Sequence, residues 1–239
     1  QMEDYDIEIG IDASQSGIHT APELIPDLSS TKAFINQVER LTNQVTSDGK
    51  IPVLLGGEHT ITLGSVTALA NRFADFAVLY FDAHGDMRNK YMGTKIGHAS
   101  VARRLLEICP VVHAGVRTLS FEEAKFIEDQ KLNTQFWPAK RHLDEYTQCI
   151  IDSLPETIYI SIDLDVLDPS IMAAVGTPEP GGMLWHELIT ILRRVCSERD
   201  VVGFDVVELS PGEGPESCAY TAAKLVYKLI GYVSTLCPV

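Results

Sequence analysis

The chain is short of cysteine, of positive charge and of long apolar runs. Its five cysteines, Cys109, Cys149, Cys196, Cys218 and Cys237, are widely spaced and include no C-x-x-C pair. So low and odd a count excludes a disulfide scaffold and points to a reducing compartment, the cytoplasm. Cys218, near an expected helix start, reads as a small buried thiol. Only 19 residues are Lys or Arg against 33 Asp or Glu, a formal net charge of -14. No basic field exists to neutralise phosphates, which excludes a nucleic-acid or anionic-membrane surface. No stretch approaches the roughly 20 apolar residues that span a bilayer. The first residues, Gln1-Met2-Glu3-Asp4, are acidic, so no signal peptide is expected. Opening on Gln rather than Met, the chain is expected to have been processed or trimmed at its front. G-x-x-x-x-G-K-S/T, G-x-G-x-x-G and G-x-S-x-G patterns are all missing, which removes support for nucleotide binding or a serine nucleophile.

What is present is ordinary globular material, with 45% hydrophobic and 22% charged residues. Short β-rich apolar runs fall at 51–55, 76–81, 111–116, 157–164 and 201–207. Between and around them lie helical patterns at about 31–47, 60–72, 99–108, 121–129, 143–153, 184–197 and 217–236. Almost wholly apolar strands separated by helices read as a parallel sheet buried on both faces. The expected fold is α/β, a three-layer α/β/α arrangement in a single domain over 1–239. Turn signals follow the strands: Gly56-Gly57, Gly85, Asp168-Pro169 and Pro211-Gly212. In an open parallel sheet the ligand lies outside the carboxyl ends of the strands, so chemistry is expected there.

Those ends carry an unusual set of polar residues: Glu58-His59, then Asp82-Ala83-His84-Gly85-Asp86, then Asp163-Leu164-Asp165-Val166-Leu167-Asp168, then Glu208. Residues i and i+2 of an extended strand share a face. If the strands run on past their ends, Asp82, His84 and Asp86 converge, and so do Asp163 and Asp165. Four carboxylates brought together cannot all stay ionised without cations. Two divalent ions supply the four positive charges that balance them. Carboxylate and imidazole without thiolate suit manganese, and could also hold cobalt, iron or zinc. Two such ions about 3.5–4 Å apart activate a bridging water near neutral pH. The pattern therefore predicts a binuclear hydrolase. Asp168 is expected to close the turn before Pro169 instead. His19, His113, His142 and His186 have no partner at ligand spacing and read as packing or surface residues.

These motifs resemble one family, the ureohydrolases, which includes arginase and agmatinase. The resemblance runs from about residue 51 to the C-terminus. It rests on Gly56-Gly57-Glu58-His59, Phe81-Asp82-Ala83-His84-Gly85-Asp86, Gly97-His98-Ala99-Ser100, Gly115-Val116-Arg117, the 161–169 and 176–182 segments, and Asp205-Val206-Val207-Glu208. It implies two Mn2+ per chain. One would be held by His59, Asp82, Asp86 and Asp163, and the other by Asp82, His84, Asp163 and Asp165. It further implies that the activated water attacks a guanidinium carbon to give urea and an amine. By the same resemblance Asp86 orients the nucleophile, His98 shuttles protons and Glu208 grips the guanidinium. A small cationic guanidino substrate is expected, and a trimeric or hexameric assembly. After Gly115-Val116-Arg117 come Thr118-Leu119-Ser120 and not an aspartate, which resembles microbial agmatinases and points to agmatine, yielding putrescine.

Residues 1–26 show no clear version of the family's first strand and glycine-rich loop, so that part is expected to be divergent or trimmed. Two other readings compete. A zinc-dependent amide deacetylase would use a single metal and a catalytic tyrosine on the same general fold. A non-catalytic relative would have lost ligands, whereas all six are intact here.

Overall fold

The computed structural model describes residues 2–237. A small antiparallel hairpin comes first, β1 (Tyr5–Asp6) against β2 (Ile11–Asp12), and then helix α1 (Thr31–Ser47). The remainder alternates: β3 (Val53–Leu55), α2 (Ile61–Ala70), β4 (Phe76–Phe81), α3 (Val101–Leu105), β5 (Val111–Val116), α4 (Phe121–Gln130) and β6 (Thr134–Phe136). Then come α5 (Leu143–Asp152), β7 (Thr157–Asp163), α6 (Trp185–Glu198), β8 (Asp200–Val207) and α7 (Glu216–Thr235). Strands β3 to β8 form one six-stranded parallel sheet in the order β3-β8-β7-β4-β5-β6.

Alternation along the strands sorts the core into two layers. Ala77, Leu79 and Phe81 of β4, with Ile158, Ile160 and Ile162 of β7, face α5, α6 and α7. Phe76, Val78 and Tyr80, with Tyr159, face α1, α2, α3 and Ile127 of α4. The three-layer α/β/α expectation holds. Each Val, Leu, Ile or Phe among them, taken fully out of water, stabilises the fold by about 1.5–3 kcal/mol. The short strand β6 was not expected; Thr134, Gln135 and Phe136 carry no apolar run, and their pairing with β5 makes the strand. The hairpin β1–β2 also escaped notice. It is tied to α7 by Lys228, whose ammonium meets Asp6 and Glu8.

Register decides what stands beneath the carboxyl ends. Tyr80 of β4 lies beside His113 of β5 on one side and Ser161 of β7 on the other, and Ser161 lies beside Asp205 of β8. A polar row therefore crosses the middle of the sheet, just below the loops that leave β4 and β7.

Candidate metal centre

His59 ends the loop from β3 to α2 and is wholly buried. Its Nδ1 lies 3.1 Å from Asp163 Oδ2, 3.5 Å from Asp82 Oδ2 and 3.8 Å from Asp86 Oδ2. His84 Nδ1 lies 2.8 Å from Asp165 Oδ2 and 3.5 Å from Asp82 Oδ1. Two triads result, His59–Asp82–Asp163 and Asp82–His84–Asp165, each with donor atoms close enough for one ion. Asp82 belongs to both. Asp163 belongs to the first, since its other oxygen, Oδ1, accepts the backbone N–H of Asp165 at 2.9 Å. Asp86 stands at the edge of the first triad.

The route to this convergence differs from the expected strand alternation. Strand β4 ends at Phe81 and β7 at Asp163, so neither run continues through its motif. Asp86 arrives through a left-handed backbone, φ 49°. Asp165 arrives in a single 3₁₀ turn, Leu164–Val166, that Asp163 caps. Hydrogen-bonded partners for an extended strand run out where the sheet ends, and side-chain capping takes over. Gly115 allows the close approach: with φ 98° it lies beside Asp82, where a Cβ would meet Val166 and stand 3.1 Å from the Asp82 carbonyl oxygen.

Charge explains why these side chains need a counter-ion. Burial, then the charge of Asp82, pushes the Asp86 carboxyl well up; burial with Asp165 and Asp82 does the same to Asp163. Burial works against a charged imidazole, yet Asp165 and Asp82 outweigh it at His84 and push it up to about 11. His59 is likewise raised by Asp163 and Asp82 against the effect of burial. Among themselves the groups balance their charge with protons. Asp82 Oδ2 is buried and makes no hydrogen bond. An ionised oxygen in that position costs several kcal/mol unless a cation meets it. The donor set fits divalent metal ions.

A cavity of about 270 Å³ opens over the triads, and Asp86, His98, Thr177 and Glu208 help to line it. His98 sits in the turn His98–Ser100, 56% exposed, with Nδ1 3.8 Å from Glu58 Oε1 and its ring edge-on to Tyr91. Glu208 follows β8 with φ 67°, a conformation that costs a residue with a side chain about 1–3 kcal/mol. Its N–H donates to the Gly57 carbonyl at 2.7 Å, and its Oε1 accepts the His59 N–H at 2.6 Å. Burial raises its carboxyl, with His59 opposing. A larger hollow of about 650 Å³ lies between β1 and the helices α6 and α7. Asp6 and Glu8 there are already paired with Lys228, so the smaller cavity holds the chemistry.

A model of the arginase family matches residues 1–231. The chain belongs to the arginase family. It is 37% identical over 243 residues to the N(1)-aminopropylagmatine ureohydrolase of Synechocystis, covering 97% of this chain and 78% of that protein. It is 34% identical over 234 residues to the agmatinase of Pyrococcus horikoshii, covering 96% and 80%. The agmatine ureohydrolase of Thermoplasma volcanium superposes with a TM-score of 0.87 at 34% identity, covering 97% and 78%. The family match begins at residue 1, so it takes in the front of the chain as well as the motifs from residue 51 onward.

Of the residues expected to act, His59, Asp82, His84, Asp163 and Asp165 come together in the triads, with Asp86, His98 and Glu208 around the cavity above them. Asp168 is a turn residue as expected, accepting from Ser170, Gly181 and Gly182. His113 is buried against Tyr80, and Cys218 is a buried thiol. Three contributors went unread. Tyr80 stacks on His59 with ring centroids 4.5 Å apart and donates its hydroxyl to Asp86 Oδ2 at 2.8 Å. Its place two residues before Asp82, on the same strand face, was the available signal. Arg117 donates to the carbonyls of Asp165 at 2.6 Å and Glu179 at 2.8 Å, clamping the loop that carries Asp165. Buried Glu123 accepts from the Met87 N–H and from Ser120, holding the segment after Asp86 to the start of α4.

Proposed function

We propose that the chain is a single-domain ureohydrolase over 1–239 that works with two manganese ions and splits agmatine into putrescine and urea. The observation that supports this most is Asp82, shared by both triads and holding one buried oxygen that makes no hydrogen bond. One ion would be held by His59, Asp82, Asp86 and Asp163, the other by Asp82, His84, Asp163 and Asp165. Oxygen and imidazole donors without thiolate suit manganese, with cobalt, iron or zinc as other fits. When bound, such a pair supplies a water made acidic near neutral pH and a concentrated positive field.

The chain's own residues do the rest. Glu208 turns a carboxyl into the cavity, where it meets the guanidinium in charge-assisted hydrogen bonds. Asp86, with one oxygen occupied by Tyr80, keeps the other to orient the attacking water. His98, half in solvent beside Glu58, carries a proton to the leaving amine. Burial of the triads keeps bulk water from the carboxylates and strengthens every charge interaction there.

Two features support agmatine over arginine. Thr118, Leu119 and Ser120 line the cavity after the Gly115-Val116-Arg117 turn and offer no cation to an α-carboxylate. Arg88, the basic residue in the lining, is engaged with the Tyr91 ring and lies 3.8 Å from Glu123. A second reading, N(1)-aminopropylagmatine, is favoured by the activity named for the Synechocystis relative. Urea release with manganese present distinguishes them, using agmatine, N(1)-aminopropylagmatine, arginine and 4-guanidinobutyrate at equal concentration. Agmatine should give the highest kcat/KM. Arginine or guanidinobutyrate winning overturns the agmatine assignment, and the longer amine winning transfers it to the second reading. No urea from any compound overturns the hydrolase itself. Assembly as a trimer or hexamer in the cytoplasm completes the proposal, and light scattering of the purified protein tests the assembly.

A further inference from the structure

Metal donors occupy only one side of His59. Behind its imidazole, in the polar row across the sheet, stands a carboxylate that neither metal holding nor substrate contact uses. Asp205 of β8 is fully buried. It accepts Ser161 Oγ on Oδ1 at 2.7 Å, and Thr62 Oγ1 and Tyr159 OH on Oδ2 at 2.8 Å each. A hydroxyl has one proton to donate. Ser161 gives its proton to Asp205, so toward His59 Nε2, 2.9 Å away, it acts as acceptor. In the singly protonated ring, the form that can hold an ion, the proton then resides on Nε2 and the Nδ1 lone pair faces Asp82, Asp86 and Asp163. On the other side, Tyr80 gives its single proton to Asp86 and so presents a lone pair to Nδ1 at 3.0 Å. In that form, lone pairs from nitrogen, phenol and carboxylates converge on one point, where a cation would meet them all.

We propose that Asp205, acting through Ser161, is a positioning residue that selects the tautomer of His59 with Nδ1 free, and so sets the affinity of the ion on the His59 side. Partners of this kind orient metal-binding imidazoles, and their loss weakens affinity about 10–100-fold. The inference rests on the two-metal reading above and goes beyond it, because it assigns a role to residues that touch neither metal nor substrate. Register puts Ser161 beside Asp205 on neighbouring strands, so the relay is built into the sheet before any loop closes over it.

Manganese binding to the full chain tests it, by titration calorimetry with elemental analysis and electron paramagnetic resonance of the loaded protein. The variants are Asp205→Asn, Ser161→Ala and, as a comparison, Thr62→Val, which removes one hydrogen bond from Asp205 and a 3.3 Å contact with Ser161 but leaves the Asp205–Ser161 and Ser161–His59 hydrogen bonds in place. The wild type should bind two ions with the spectrum of a coupled pair. Asp205→Asn and Ser161→Ala should hold one ion at wild-type affinity and the second about 10–100-fold more weakly, while Thr62→Val binds both nearly as the wild type does. Should Asp205→Asn fail to fold, Ser161→Ala decides alone. Two ions at wild-type affinity in Ser161→Ala, or an equal loss in Thr62→Val, would overturn the relay and leave Asp205 as a brace between β7, β8 and α2. A wild-type chain that binds no pair would overturn both this inference and the reading beneath it.

Discussion

The two halves of the candidate metal centre are built from different materials. The His59 half is made by side chains of the packed core: Tyr80 stacks on the ring, Ser161 meets its far nitrogen, and these three side chains are fully buried. The His84 half is made by loop backbone. The Ala83 N–H donates to Asp165 Oδ1 at 3.0 Å and the His84 N–H to Asp82 Oδ1 at 2.6 Å, while the His84 side chain is 27% exposed. A buried, hydrogen-bonded side chain is held by the same packing that holds the sheet, so its geometry exists before ligands arrive. A partly exposed histidine held by loop backbone depends on that loop's turns, which is why the Arg117 clamp on the Asp165 loop matters on this side.

The comparison can be broken or sharpened by substitution. The largest effect is expected where the halves meet. Asp82→Asn should abolish tight binding of both ions and lower kcat/KM beyond the ~10²–10⁴-fold that one acid–base group supplies. Asp163→Asn should be more damaging than His59→Asn if Asp163 bridges. Elemental analysis showing one ion retained by Asp163→Asn would instead make Asp163 a ligand of the His59 half alone. Next comes His98→Ala, outside both halves: two ions should remain while turnover falls ~10²–10⁴-fold, with partial recovery on adding imidazole. Loss of metal from that variant would mean His98 has been misassigned.

Smaller effects separate the halves themselves. Tyr80→Phe removes the hydroxyl from Asp86 and should weaken one ion about 10–100-fold in calorimetry while leaving the other unchanged. Equal weakening of both would erase the distinction between side-chain and backbone support. The smallest concerns protons. His84 in the metal-free chain is pushed up to about 11, so at pH 7–9 it carries a proton that an incoming ion must displace. Apparent affinity should therefore rise with pH, roughly tenfold per unit for each proton released. Calorimetry in buffers of different ionisation enthalpy measures that release; an affinity that stays flat from pH 7 to 9 would contradict a protonated His84.

Much of this was legible in the linear chain. The ligand motifs are contiguous, and apolar runs with turn residues after them mark strand ends whatever the rest of the fold does. Helix α1 lies at Thr31–Ser47, where its pattern placed it, because Ser30 caps it and the amphipathic spacing is local. The helix expected over 99–108 is regular α-helix only at Val101–Leu105, since the His98–Ser100 turn occupies its start. Asp86 and Glu208 adopt left-handed backbones with no glycine to announce them, because surrounding contacts and not local preference hold them there.

Residue type and spacing along the chain were thus enough to point to the candidate donor set, the hydrolytic chemistry it suits and the main succession of strands and helices, without β6 or the β1–β2 hairpin. Each of these depends on neighbours within a few positions. The order of strands in the sheet, the row of Tyr80, Ser161 and Asp205 under the site, and which oxygen of each aspartate faces which imidazole were decided by tertiary structure alone. His59 meets Asp163 across 104 positions and Glu208 across 149, and only packing of the completed sheet brings groups so distant to within hydrogen-bonding reach.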